Sequence, residues 1–185
     1  MEKHPKTTYK TLALAVGGTA AASIATLALW WYDTRPGGRA ILTAPTGRQV
    51  RSILWREVRR LHAMARRPIA GRLSPTPDAG LQAPDGREIV GFSTDEPERL
   101  AGWSGADLLF LVDEASGVEE VLFEAIEGNR AGGDAHLALF GNPTQTSGTF
   151  YAAFTSQRER WHRVHVSSEE AAAYQERVRR VPGLA

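Results

Sequence analysis

The sequence predicts an α/β protein in which a parallel sheet is covered by helices on both faces. Short, uniformly apolar segments, a pattern typical of strands buried on both sides, alternate along the chain with segments of helical periodicity. Parallel strands need crossover connections, which helices usually supply. The chain has 185 residues, with 22 Lys and Arg against 21 Asp and Glu. This is enough for one domain with a real core, and the balanced charge neither indicates nor excludes a nucleic-acid partner.

The first third of the chain predicts a strand, a turn, a helix, a strand and a second helix. LALAV (residues 12–16) is a candidate strand. The Gly-Gly pair that follows it predicts a turn, and the Ala-rich stretch after the turn predicts a helix. AILTAP (residues 40–45) predicts a buried strand closed by proline. A helix is predicted over residues 48–66, and its apolar face is Val50, Ile53, Leu54, Val58 and Leu61.

The remainder of the chain predicts four further strands. Residues 68–86 are rich in Pro, Gly and polar groups, which indicates a loop or a weak hairpin. The predicted strands are EIVGFS (88–93), the apolar part of LLFLVDEA (108–115), HLALFGNP (136–143) and WHRVHVS (161–167).

Two capping boxes are predicted at helix starts, one formed by Ser116 with Glu119 and one by Ser167 with Glu170. The first helix should end at the glycine pair of residues 132–133. Its predicted apolar face is Val118, Val121, Leu122, Ala125 and Ile126.

The uncharged run from Thr11 to Trp31 follows a basic start and ends in two tryptophans, so a membrane anchor is an alternative to a strand, turn and helix. Because Ala, Gly, Thr and Ser dominate the run, insertion into a bilayer would be weak, and the strand-turn-helix interpretation is preferred. The absence of cysteine excludes disulfides and thiolate metal sites and is compatible with a reducing compartment.

The acidic end of LLFLVDEA carries the chemistry of a nucleotide-hydrolysing site. In parallel α/β sheets, ligands bind where the carboxyl ends of the strands converge. Asp113 can hold a hydrated Mg²⁺ there, and Glu114 can orient or deprotonate an attacking water. The alternative is a strand that runs into an exposed helix start, where acids favour the helix dipole.

A phosphate-binding loop is predicted at AVGGT (residues 15–19), between the first strand and the first helix. Gly17 and Gly18 would offer backbone amides to phosphates, and Thr19 would fill the magnesium-ligand position. Gly18, however, stands where a lysine should reach the terminal phosphates. On residue chemistry alone, a plain Gly-Gly turn is at least an equal interpretation.

Two further polar groups are candidates for binding or coupling. Asn142 and Thr144 follow the strand at 136–141 and could sense a terminal phosphate, although Gly-Asn-Pro is also ordinary turn chemistry. The predicted helix over 48–66 carries a basic face that could contact a DNA backbone, or could simply be solvated. The basic residues of this face are Arg51, Arg56, Arg59 and Arg60.

Three long segments of the chain resemble the ATPase domain of the large terminase subunit of tailed bacteriophages, the motor that packages DNA. They are TAPTGRQVRSILWREVRRLH, GFSTDEPERLAGWSGADLLFLVDEASGV and LALFGNPTQTSGTFYAAF, and the resemblance covers roughly residues 29–168. It implies a P-loop NTPase (RecA-like) fold, ATP and Mg²⁺ as cofactors, and Asp113 and Glu114 as the magnesium-binding and catalytic acids. The GNPT segment would be the coupling motif.

The same resemblance implies partners and a location. They are double-stranded DNA, the portal, the small terminase subunit, other copies in a ring, and the cytoplasm of a bacterial host. We expect a basic tail over residues 1–10, an incomplete ATPase domain over 11–185, and no nuclease domain.

This sequence departs from the family's G-x-G-K-T pattern at Ala15 and Gly18. An inactive prophage remnant, or a module that binds DNA or protein, is therefore the alternative function.

Overall fold

The computed structural model describes residues 11–16, 20–75, 79–94, 99, 103, 107–130, 135–167 and 169–170. Within these residues, eight strands form one sheet, in the order β3-β4-β5-β2-β6-β7-β1-β8. The strands are β1 (Thr11–Val16), β2 (Arg39–Ala44), β3 (Arg72–Leu73), β4 (Ala79–Gln82), β5 (Glu88–Ser93), β6 (Leu108–Val112), β7 (Ala135–Gly141) and β8 (His162–Val166).

Six of these strands, from β5 across to β8, are paired in parallel, as the sequence predicts. β3 and β4 are antiparallel to their neighbours. Of the two interpretations open for residues 68–86, the structure therefore shows the hairpin. It extends one edge of the sheet without a crossover, because antiparallel strands need only a short connection.

The described helices are α1 (Ala21–Thr34), α2 (Gly47–Gln49), α3 (Trp55–Ala63), α4 (Glu120–Arg130) and α5 (Gly148–Phe154). A π-helical segment, Val50–Leu54, joins α2 to α3. Short 3₁₀ turns lie at Ala115–Gly117 and Arg158–Arg160. The sequence did not indicate α5 or the π-helical segment.

The helices cover both faces of the sheet, which confirms the predicted fold class. β6 shows why the strand had to be apolar throughout: Leu109 and Leu111 face one core, while Phe110 and Val112 face the other. The first core is packed by α1, the π-helical segment and α3, and the second by α4 and α5.

The described residues of the run from Thr11 to Trp31 form β1 and most of α1. The side chains of Ile24, Ala28 and Tyr32 on α1 are fully buried in the protein core. In the part of the chain that the structure describes, no helix has both the length and the apolar character needed to cross a membrane.

The predicted helix over residues 48–66 is present as α2, the π-helical segment and α3, but its predicted face is partly wrong. Val50, Leu54 and Val58 are buried, whereas Ile53 is 36% exposed and the unpredicted Trp55 is only 2% exposed. A π turn inserts one residue into the helical repeat. Spacing rules that assume a regular α-helix therefore misplace residues in and beside it.

The predicted start of the helix after β6 is also wrong. Ser116 does not cap it, because Ser116 lies in the 3₁₀ turn and α4 begins at Glu120. Val121 is 54% exposed, and Phe123 takes the core position instead. The predicted end at residues 132–133 lies outside the described residues.

The second capping box is confirmed. The backbone amide of Ser167 donates to Glu170 Oε2 at 2.8 Å, and the amide of Glu170 donates to Ser167 Oγ at 3.1 Å. This reciprocal arrangement satisfies two amides at a helix start.

Candidate functional site

Asp113 and Glu114 leave the carboxyl end of β6 in a tight turn. The amide of Asp113 donates to the Thr43 carbonyl on β2 at 2.9 Å, which continues the sheet pairing by one residue. Asp113 Oδ1 accepts the Glu114 amide at 3.1 Å. Glu114 has φ 49° and ψ 40°, a left-handed conformation that non-glycine residues rarely adopt. The chain thereby turns sharply away from β6 and leaves the Glu114 side chain exposed.

The Asp113 carboxyl group is largely buried. Burial raises its pKa to about 6, the Glu114 amide that it accepts lowers the pKa, and the nearby Glu114 charge raises it. Its charged form is therefore poorly solvated in the protein alone. A cation at this position would relieve that cost.

Asn142 and Thr144 lie opposite these acids, beyond the end of β7. Together they border a cavity of about 310 Å³ at the carboxyl ends of β6 and β7. The cavity is lined by Ala20, Ile53, Asp113, Glu114, Ser116, Gly117, Gly141, Asn142 and Thr144. The structure thus brings together four of the residues that sequence reasoning selected. A smaller cavity, of about 180 Å³, lies at the end of β5 beside Arg51 and Arg99, away from these acids.

The predicted phosphate loop can be located only through its neighbours, because Gly17, Gly18 and Thr19 lie outside the described residues. β1 pairs with β7 in parallel, with Ala15 opposite Gly141. Ala20, the N-cap of α1, lines the cavity. Both described ends of the predicted loop therefore lie at the same edge of the sheet as Asp113.

Gly141, the last residue of β7, allows the turn after β6 to pass close to β7. A Cβ atom at this position would lie 3.1 Å from the Ala115 amide nitrogen and 3.6 Å from the Glu114 Cα. Such a contact is tighter than ordinary packing allows. Glycine at this position therefore favours the close approach of the two backbones, and its φ is not in the left-handed region.

Sequence reasoning missed Ile53 and Ser116 as residues of the cavity. Ile53 was predicted to be a core residue, and the π-helical segment instead exposes it to the cavity. Ser116 was predicted to be a helix cap. No signal in the sequence alone could separate these roles, since both depend on where the helix register shifts.

The four predicted DNA-binding arginines are exposed, and two of them form hydrogen bonds or ion pairs with other residues of the chain. Arg59 donates to the Ser74 carbonyl at 3.2 Å, and Arg60 forms an ion pair with Glu57 at 2.8 Å. The Arg51 guanidinium lies over Gly47, where a Cβ would be 3.0 Å away. The structure therefore leaves all four side chains exposed without assigning them a ligand.

The described cavity residues fit a hydrated magnesium ion. None of the described residues that line the cavity carries a positive charge, and Asp113 supplies a partly buried carboxylate whose pKa burial raises to about 6. No cluster of three acidic, His or Cys side chains occurs among the described residues. Mg²⁺ suits such a site, because it keeps several waters and usually takes one or two carboxylates together with substrate phosphates.

The comparisons with known proteins point to one family. No family model matches the chain. A curated protein, the probable terminase large subunit of Enterobacteria phage P7, is 44% identical over 54 residues, which are 29% of this chain and 11% of that protein.

Solved structures resemble nearly the whole chain. The large terminase ATPase domain of Thermus phage P74-26 covers 97% of the chain with a TM-score of 0.60 and 22% identity, and the chain covers 86% of that domain. The large terminase of a thermophilic bacteriophage in complex with ADP covers 89% with a TM-score of 0.62 and 15% identity. The chain has the fold of a large-terminase ATPase domain. The resemblance that the sequence indicates is therefore confirmed.

The chain spans only part of the length of the longer proteins that it resembles. The chain spans 44% of the ADP-bound large terminase, in contrast to the 86% of the isolated ATPase domain. In this chain, Asp113 and Asn142 follow the ends of adjacent parallel strands, where open parallel α/β sheets bind their ligands.

Proposed function

We propose that this chain is the ATPase motor domain of a phage DNA-packaging terminase and acts in the cytoplasm of a bacterial host. One observation carries the proposal: Asp113, Glu114, Asn142 and Thr144 converge on one cavity at the carboxyl ends of β6 and β7. The fold and the ADP complex of a structural neighbour support a nucleotide as the ligand of that cavity.

Each predicted residue then has a role in nucleotide hydrolysis. Asp113 would hold a hydrated Mg²⁺, which would offset the charge of the phosphates. Glu114 would orient the attacking water or accept its proton. Gly17, Gly18 and Thr19 would bind the phosphates and the metal from the β1 side. Asn142 and Thr144 would sense the terminal phosphate.

The missing lysine at residue 18 predicts weak turnover. A glycine there provides no charge for the terminal phosphates, so stabilisation of the transition state should be impaired. We expect Gly18→Lys to raise the rate of ATP hydrolysis by ~10²-fold or more, since one lost electrostatic contact costs about that factor. Phosphate release is the measurement, and Gly18→Ala, which adds bulk without charge, is the control.

Two results of these measurements would decide whether the chain is a motor domain. A gain confined to the lysine variant supports an intact motor scaffold. If neither the natural chain nor Gly18→Lys binds ATP with Mg²⁺ in titration calorimetry, the motor proposal is wrong.

The alternative function is a catalytically inactive module that binds DNA or protein. The departures at Ala15 and Gly18 favour it, because both fall in the motif that should bind phosphates. Retained DNA binding without any nucleotide binding would support this alternative.

The proposed partners follow from the family resemblance. They are double-stranded DNA, the portal, the small terminase subunit and further copies of the chain in a ring. The DNA would be bound through the face that carries Arg51, Arg56, Arg59 and Arg60. This face suits DNA because its exposed guanidinium groups can contact the phosphates of the backbone.

A further inference from the structure

Two loops at the proposed site are joined at two separate points. We define the β6 loop as residues 113–120 and the β7 loop as residues 142–149. The first junction lies beside the cavity, where Ser116 Oγ and Thr144 Oγ1 share a hydrogen bond of 2.5 Å. The Thr144 amide also donates to Ser116 Oγ at 3.2 Å, and the same amide donates to the Asn142 carbonyl at 2.9 Å. Ser116 therefore contacts both the backbone and the side chain of the β7 loop.

The second junction lies at the far end of both loops. Glu120 Oε1 accepts the Thr149 amide at 2.7 Å, and Glu120 Oε2 accepts the Thr149 hydroxyl at 2.7 Å. Ser147, the N-cap residue of α5, forms no side-chain cap bond of its own. The first residue of α4 thus replaces the missing cap of α5.

Gly148 makes this second junction possible. Its φ is +90°, and a Cβ atom there would lie 3.0 Å from Glu120 Oε1. Most side chains would be strained at such a φ and would crowd the carboxylate. The sequence Ser-Gly-Thr at 147–149 therefore fits a carboxylate supplied by another element.

The two junctions differ in strength. The Glu120 carboxylate forms two charge-assisted hydrogen bonds, which are about twice as strong as neutral ones. The Ser116 junction joins neutral groups. Thr144 and Glu120 are both exposed to solvent, so the difference between the junctions lies in the carboxylate charge. The Glu120 junction is consequently suited to anchor the β7 loop, and the Ser116 junction to open and close.

We propose that Ser116 and Glu120 are positioning residues that connect the β6 loop to the β7 loop, so that a change at Asp113 and Glu114 reaches Asn142 and Thr144. This inference rests on the proposed function, since the change would come from nucleotide binding. Glu120 anchors the pair, and Ser116 transmits the change. Glu120 does not line the cavity, whereas Ser116 lines it and acts in this inference through its bonds to Thr144.

Amide exchange of the complete chain, measured by ¹⁵N NMR without nucleotide, tests the junctions themselves. Ser116→Ala should accelerate exchange of the Thr144 amide about threefold or more, because that amide keeps only its bond to the Asn142 carbonyl. Exchange of Thr149 should stay unchanged, and Ser116→Thr, which keeps the hydroxyl, should restore protection of Thr144. Glu120→Ala should accelerate exchange of Thr149. Glu119→Ala, which removes a neighbouring exposed carboxylate, is the matched control and should change neither amide.

Addition of ADP with Mg²⁺ to the same samples tests transmission. In Ser116→Ala, shifts of the Asp113 and Glu114 amides should persist, while those of Asn142 and Thr144 should fall to less than half of their size in the natural chain. Undiminished shifts at Asn142 and Thr144, or unchanged Thr144 exchange in Ser116→Ala, would overturn the inference. Absence of any nucleotide-induced shift in the natural chain would instead contradict the proposed function, and the exchange rates would still decide whether the two junctions exist.

Discussion

At the residue scale, Asp113 is a partly buried carboxyl group with no basic residue among the described residues that line its cavity. Its pKa rises from 3.8 to about 6 on folding, chiefly through burial. The folded chain therefore binds this proton more tightly than the unfolded chain does. Stability from this group is fully present below about pH 4 and is lost as the pH rises through about 6. Ionised Asp113 costs the nucleotide-free domain stability at neutral pH.

Asp113→Asn should stabilise the domain at pH 8 while preventing nucleotide binding that depends on Mg²⁺. Removal of a desolvated charge should increase the free energy of unfolding by about 1–2 kcal/mol, after allowance for partial exposure. The pH dependence contributed by Asp113 between pH 4 and 6 should disappear. Urea denaturation at pH 5 and pH 8 measures the first effect, and titration calorimetry measures the second.

Glu114→Gln is the control for this prediction, because the Glu114 side chain is exposed. Its unfolding free energy should change little at either pH. Two results would contradict the assignment of this destabilisation to ionised Asp113. One is a lower free energy of unfolding for Asp113→Asn at pH 8. The other is a change in unfolding free energy between pH 5 and pH 8 that is the same in Asp113→Asn as in the natural chain.

At the scale of elements, the site depends on how closely the turn after β6 approaches the end of β7. Gly141→Ala should push Ala115 and Glu114 away from β7, since the new Cβ would lie 3.1 Å from the Ala115 amide nitrogen. Overpacking of this kind costs about 1–3 kcal/mol. We expect the free energy of unfolding to fall by that amount and the affinity for ADP with Mg²⁺ to fall with it.

Gly128→Ala is the matched control, because nothing lies within 4 Å of a Cβ at that position on α4. There the same substitution should stabilise the domain by about 0.5–1 kcal/mol through helix propensity. Opposite signs in urea denaturation would separate close approach from a general effect of replacing glycine. A neutral Gly141→Ala would show that the two elements can separate without cost.

Periodicity predicted the helices after β1, β2 and β6, but it missed α5 and did not give the helix register. The strands β2, β5, β6 and β7 were predicted because each is a short apolar run bounded by polar or turn residues. Ile53, Ser116 and Val121 were misplaced because a π turn and a 3₁₀ turn shift the residue spacing. A spacing rule that assumes one regular α-helix does not encode such shifts.

At the scale of the whole molecule, the arginine face of α3 is the surface that we expect to contact DNA. Arg56→Gln should weaken binding of double-stranded DNA and reduce the slope of log affinity against log salt by about 1, as expected for one lost phosphate contact. Arg60→Gln is the comparison, since Arg60 is paired with Glu57 at 2.8 Å and should contribute less. Fluorescence anisotropy over a range of salt concentrations measures both.

Equal salt slopes for the natural chain and Arg56→Gln would show that this arginine does not contact the DNA phosphates. A larger effect of Arg60→Gln would indicate that DNA displaces Glu57 from its partner. Either result would move the DNA surface away from the one proposed.

The order of strands in the sheet was decided by the tertiary structure. β6 and β7 are consecutive in sequence and adjacent in space, but β1 lies between β7 and β8, the last described strand. A hydrophobic pattern identifies a buried strand, but it does not predict which strands pair with it in the sheet, because every fully buried strand has much the same composition. Only the assembled sheet shows that Ala20, Asp113 and Asn142 border one cavity.

The sequence by itself determined the α/β class, the acidic end of β6 and the family resemblance, since each depends on residue types within a continuous segment. The tertiary structure decided which polar groups meet. Ser116 contacts Thr144, and Glu120 caps α5, across 28 and 29 residues of sequence. Such contacts arise where two strand ends converge. Their physical basis is the close approach of two backbones at Gly141, which local sequence patterns do not encode.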